Sequence, residues 1–157
     1  MRGRALFWEM FTFSWSTSTP SCSGIYCVDH AVIPSLASGV LVNSGHLLEN
    51  LVFTGLRRAF PDIFYGKTKT GREVDFVVPV RTGPPMLVQS CESLSDPRTR
   101  KRELSALGDA MRELGCTTGT IVTRGEDERI VMDSGTVRAV PVWKFLLEVP
   151  EAKEQPH

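Results

Sequence analysis

The chain has 157 residues, 41% of them hydrophobic, so it holds about one domain and enough apolar material for a real core. Eighteen Lys and Arg balance 18 Asp and Glu, which excludes a globally basic coat of the kind that drives nucleic-acid binding. The four cysteines, Cys22, Cys27, Cys91 and Cys116, form no paired CxxC spacing, which argues against a zinc site or a disulfide framework.

Residues 1–24 open with an aromatic stretch carrying Arg2 and Arg4, a superficial likeness to a signal peptide. Glu9 interrupts it and no cleavage site follows, so the reading is cytoplasmic, with reduced thiols. The Ser- and Thr-rich stretch 14–23 reads as a loop, and the whole opening looks like the remnant of a preceding segment of a longer protein. No run is apolar and long enough to span a membrane. The main domain is expected over 25–148 and a flexible tail over 149–157.

Residues 25–28 read as a short strand, and 31–37 as a brief helix interrupted at Pro34. Residues 44–59 predict the first strong helix, with Ser44 as its cap and Leu48, Leu51, Val52 and Leu56 at helical spacing. Glu49 sits at the edge of that stripe, with His46 and Asn50 beside it. Three strands follow over 63–67, 73–80 and 86–91, separated by turn chemistry at Lys69-Thr70-Gly71 and Thr82-Gly83-Pro84-Pro85.

Asp96 and Pro97 then start a second helix, which runs with Leu104, Leu107, Met111 and Leu114 inward and stops at Gly115. Residues 118–123 form a β-branched strand, and 128–132 and 136–140 a hairpin across Asp133-Ser134-Gly135. A short last helix carries Trp143, Phe145, Leu146 and Leu147, with Trp143 read as a core anchor. The order predicts an α/β fold with a mixed sheet flanked by helices.

The informative stretch is Gly71-Arg72-Glu73-Val74-Asp75-Phe76-Val77-Val78, which sets Asp75 inside an apolar strand. A carboxylate there needs a partner, a metal or a function to offset its desolvation. Alternation puts Val74, Phe76 and Val78 on one face, with Glu73, Asp75 and Val77 on the other. In the next strand Leu87, Gln89 and Cys91 share a face, so pairing brings Asp75 beside Gln89 and Cys91. Two or three oxygen ligands for Mg²⁺ can assemble there around Asp75, with Glu73 joining them or reaching solvent, and Glu49 of the first helix is a further carboxylate that can point at the sheet. The basic run Arg98, Arg100, Lys101 and Arg102 at the second helix start is a candidate phosphate contact, although such runs are usually solvated.

The successions Gly45-His46-Leu47-Leu48-Glu49-Asn50-Leu51-Val52-Phe53 and Thr70-Gly71-Arg72-Glu73-Val74-Asp75-Phe76 resemble the C-terminal domain of unknown function of many prokaryotic AAA+ ATPases. Ile121-Val122-Thr123 and Val140-Pro141-Val142-Trp143-Lys144-Phe145-Leu146 are similar to it as well, and the likeness covers roughly residues 25–148. The resemblance implies a restriction-endonuclease-like fold related to PD-(D/E)xK nucleases. It makes Asp75 the metal-binding Asp and Glu49 the helix carboxylate. It also puts Gln89 where that superfamily has Glu, and Cys91 where it has Lys. An amide brings no charge, and a neutral thiol cannot replace an ammonium in transition-state stabilisation.

The expectation is therefore a non-catalytic nuclease-like domain serving nucleic-acid or protein interaction, with a Mg²⁺-dependent nuclease acting on DNA or RNA as the alternative. The candidate catalytic residues are Glu49, Asp75 and Gln89; the candidate metal ligands are Asp75 and Glu49. No GxxxxGK[ST] occurs, so an ATPase partner domain, if present, is encoded upstream. The oligomeric state is left open.

Overall fold

A computed structural model of the chain describes residues 9–10 and 44–149. The expected strand at 25–28, the helix at 31–37 and the tail from Pro150 lie outside the described residues, as do Cys22, Cys27 and His30.

Helix α1 spans Ser44–Ala59, α2 Pro97–Leu114 and α3 Val142–Glu148. The strands are β1 Glu9–Met10, β2 Phe64–Lys67, β3 Glu73–Val78, β4 Met86–Ser90, β5 Thr118–Thr123, β6 Glu128–Met132 and β7 Gly135–Pro141. Six strands from β2 onward form a mixed sheet, and two-residue β1 adds to its edge, giving the order β1-β2-β3-β4-β5-β7-β6. The β2–β3–β4 meander is antiparallel, β4–β5 and β5–β7 are parallel, and β6 returns antiparallel on β7. The expected α/β class with a mixed sheet is the one observed.

The helices cover both faces. On one, Leu48, Val52 and Leu56 of α1 and Phe145 of α3 pack on Phe76, Val78, Val88, Val122 and Val140. On the other, Leu107, Ala110 and Met111 of α2 pack on Val74, Val77, Leu87, Ile121 and Ala139. Local chemistry sets the ends of α2. The Asp96 side chain accepts from Thr99 N, Pro97 occupies the first position, and Gly115 closes the helix in the left-handed conformation at φ 69°.

Two expectations about packing are corrected. Val74 does not share a face with Phe76 and Val78: it joins Val77 in the α2-side core. The cause is a register shift, because Gly66 pairs with Val74 and Phe64 with Val77, so β3 carries one extra residue across from β2. A Cβ on Gly66 would lie 2.8 Å from Val77 Cγ2, so glycine permits the close approach. Trp143 is not a core anchor. It is 62% exposed, and Phe145 is the residue of α3 that is buried. Seven residues leave α3 one inward stripe, and Phe145 occupies it.

Candidate functional site

The extra residue in β3 falls at Asp75 and Phe76, where β3 and β4 diverge. The ladder between these strands runs from Val78↔Met86 to Phe76↔Val88 and stops there. Beyond that point side chains replace it. Ser90 N and Ser90 Oγ both donate to Asp75 Oδ2, at 2.7 and 2.6 Å, and Asp75 N donates to Gln89 Oε1 at 3.2 Å. The other edge of β4 stays paired, with Ser90 registered on Val122 of β5.

Gln89 is buried and bridges two carboxylates. Its Nε2 donates to Asp75 Oδ1 at 3.3 Å and to Glu103 Oε2 at 2.9 Å. Glu103, on the first half of α2, is buried as well. Its Oε1 accepts from Arg102 Nε at 2.9 Å and Nη2 at 2.6 Å, while Arg102 itself stays exposed. Both hydrogens and the carbonyl of the amide are thus used within the chain.

These groups line a cleft of about 740 Å³ between the N-terminal turns of α1 and α2. Its charged lining consists of Glu49, Glu73, Asp75, Glu92 and Glu103 against Arg72 and Arg102. Burial pushes the Asp75 carboxyl up from 3.8 to about 6, opposed by the Ser90 hydrogen bonds and reinforced by the charges of Glu49 and Glu103. Burial likewise raises the Cys91 thiol, whose Sγ donates to Ser93 O at 3.2 Å; this is a core thiol and not an activated nucleophile.

Of the residues singled out in sequence, Glu49, Asp75 and Gln89 line this one cleft. Glu49 reaches it from α1, with His46 Nδ1 3.7 Å from its carboxylate. The basic run does not act as a unit. Arg100 makes a two-point contact with Glu128 of β6 and Arg102 turns to Glu103, which leaves Arg98 and Lys101 exposed on the α2 surface. Arg72 pairs with Asp109 at 3.0 Å and not with Asp75.

Sequence reading missed Glu103 and Ser90. Glu103 precedes Leu107 by four residues and Ala106 by three, which puts it on the buried stripe, and that spacing was the available signal. Ser90 was unreachable by alternation, because the bulge re-aims Asp75.

Among the described residues, no group of three or more His, Cys, Asp or Glu side chains could hold a metal ion. An amide N–H donor occupies the gap between Asp75 and Glu103, where a cation would need oxygen lone pairs.

The family model described as Domain of unknown function (DUF4143) matches residues 44–145. The chain belongs to this family. It is 32% identical over 152 residues to an uncharacterized protein of Methanocaldococcus jannaschii, an alignment covering 90% of this chain and 33% of the relative. The chain thus spans about a third of that relative's length. No solved structure matches. The matched segment runs from α1 to Phe145 of α3, so both helix N-termini and both strands that build the cleft fall within it. Among the described residues no helix is long and apolar enough to cross a membrane.

Proposed function

We propose that this chain is a non-catalytic, nuclease-like module of an ATPase-linked protein, and that its cleft serves protein interaction and does not cleave phosphodiesters. The observation that carries this reading is the Gln89 clamp: the amide satisfies Asp75 and Glu103 with hydrogens, and Ser90 supplies two more donors to Asp75. A carboxylate that accepts three hydrogen bonds from its own chain has little capacity left for a metal. The order helix, antiparallel three-stranded meander, helix, parallel strand supports the restriction-endonuclease-like reading.

Five carboxylates against two guanidinium groups favour a cationic polypeptide segment over a phosphate backbone. Nucleic-acid affinity normally rests on Lys and Arg that neutralise phosphates, and here Arg100 and Arg102 are already paired. The competing reading, a Mg²⁺-dependent nuclease acting on DNA or RNA, draws on Glu49, Asp75 and Glu103 sharing the cleft.

The deciding assay incubates the chain with single-stranded, duplex and branched DNA and RNA in Mg²⁺ or Mn²⁺. No cleavage is expected, and no salt-sensitive retention of nucleic acid. Robust turnover that disappears in Asp75→Ala would overturn the proposal. ATP binding by the chain alone is also not expected, since no phosphate-binding loop is present in the sequence.

A further inference from the structure

Arg102 and Glu103 are neighbours on α2, and successive helical residues point about 100° apart, so their side chains do not ordinarily face each other. Here they meet. Arg102 Nε and Nη2 both donate to Glu103 Oε1, at 2.9 and 2.6 Å, so the long side chain folds back across the helix. This brings its guanidinium to the wall of the cleft that both residues line. The two ends of the pair are anchored unequally. The Glu103 side chain is 5% exposed and its Oε2 is held by Gln89 Nε2 at 2.9 Å, whereas the Arg102 side chain is 73% exposed. An exposed arginine returns to water with little loss, but a buried carboxylate deprived of its donor does not.

We infer that Glu103 Oε1 is a seat for a guanidinium group, which Arg102 fills in the free chain and an incoming arginine side chain takes over. That incoming side chain rests on the reading of the cleft as a protein-interaction site for a cationic segment. Glu49, Glu73 and Glu92 surround the approach and draw a cation in. The contact selects arginine over lysine. Two N–H groups of one planar fork converge on Oε1, whereas an ammonium is a compact, strongly hydrated charge that gives up more water to enter. Gln89 stays bonded to Oε2 throughout, so the exchange leaves the link from Asp75 through Gln89 to Glu103 intact.

Chemical rescue tests the seat. In the full chain, Arg102→Ala should lower the melting temperature by roughly 2–6 °C, and millimolar methylguanidinium should restore it where methylammonium does not. The wild-type chain should respond to neither, because its own arginine occupies the seat. Glu103→Gln added to Arg102→Ala should abolish the rescue. Arg102→Lys retains the positive charge and supplies a second measurement by isothermal titration. A tetra-arginine peptide should bind this variant several-fold more tightly than the wild type, while a tetra-lysine peptide does not separate the two. An unchanged melting temperature in Arg102→Ala, equal rescue by methylammonium, or rescue that survives Glu103→Gln would each overturn the inference. Tetra-arginine binding that Arg102→Lys leaves unchanged would overturn it equally. Guanidinium rescue in a chain that binds no tetra-arginine would uphold the seat and count against the interaction reading alone.

Discussion

Asp75 on β3 and Asp109 on α2 are the same residue type in opposite settings. Asp75 stands at the cleft with amide and hydroxyl donors and with Glu49 and Glu103 as neighbours, and its carboxyl is pushed up to about 6. Asp109 accepts from Thr70 Oγ1 at 2.7 Å and from Arg72 Nη1 at 3.0 Å, and Arg112 closes on its other oxygen. The Thr70 hydrogen bond and the two arginines hold its carboxyl below the usual range, against the opposing effect of burial. The first arrangement stores an unfavourable charge in the cleft; the second latches the β2–β3 turn onto α2, helped by Lys69 N donating to Glu113 at 2.9 Å. Charge balance around a buried carboxylate, not burial alone, separates a candidate site from a structural tie.

The comparison breaks most sharply at Gln89. Gln89→Leu removes the bridge and leaves two buried carboxylates facing each other without a donor between them. The expected loss is about 3 kcal/mol or more, read by urea denaturation at pH 7. A loss below about 1 kcal/mol would mean that the clamp is incidental. Gln89→Glu keeps the shape and adds a third carboxylate. It should be nearly as destabilising at pH 7 and should regain stability as the pH is lowered toward 5, which thermal melts across that range would detect.

Asp109→Ala should cost less, about 1–2 kcal/mol, because Arg72 and Arg112 are about half exposed and return to water when their partner is lost. Part of that loss should shrink in high salt, whereas the Gln89→Leu loss should not, since the clamp is buried and its bridging group neutral.

The smallest effect is the difference in pH slope. For Asp75 the folded value near 6 exceeds the unfolded one, so the folded state holds a proton that the unfolded state has released between about 4 and 6. Its contribution to stability therefore falls as pH rises through that window. Asp109 has the depressed value, so its stabilisation is present above the unfolded value and lost as pH falls toward the folded one. Carboxyl titration by NMR should place Asp75 near 6 and Asp109 below its ordinary 3.8. An Asp75 that titrates near 4 would remove the contrast between the two sites.

The sequence by itself determined the elements, because their signals are local. Asp96-Pro97 and Gly115 mark the ends of α2 through capping and left-handed backbone chemistry, and 118–123 reads as a strand from its β-branched residues. The placement of Glu49 beside Asp75 and Gln89 was also legible, from a helical stripe and from strand alternation combined with the family likeness. Tertiary structure alone decided how those residues are used. One extra residue in β3 turns Asp75 toward Ser90, and a bulge leaves no mark in a two-residue period. Glu103 enters the site from a helix that lies on the far side of β4 in sequence, and Arg72 finds Asp109 thirty-seven residues away. Trp143 looks like a core residue by composition and is exposed, because a short helix buries one stripe and Phe145 had already filled it. Local propensity fixes where backbone hydrogen bonds begin and end; which side chains meet depends on packing between segments distant along the chain, and no short window of sequence contains it.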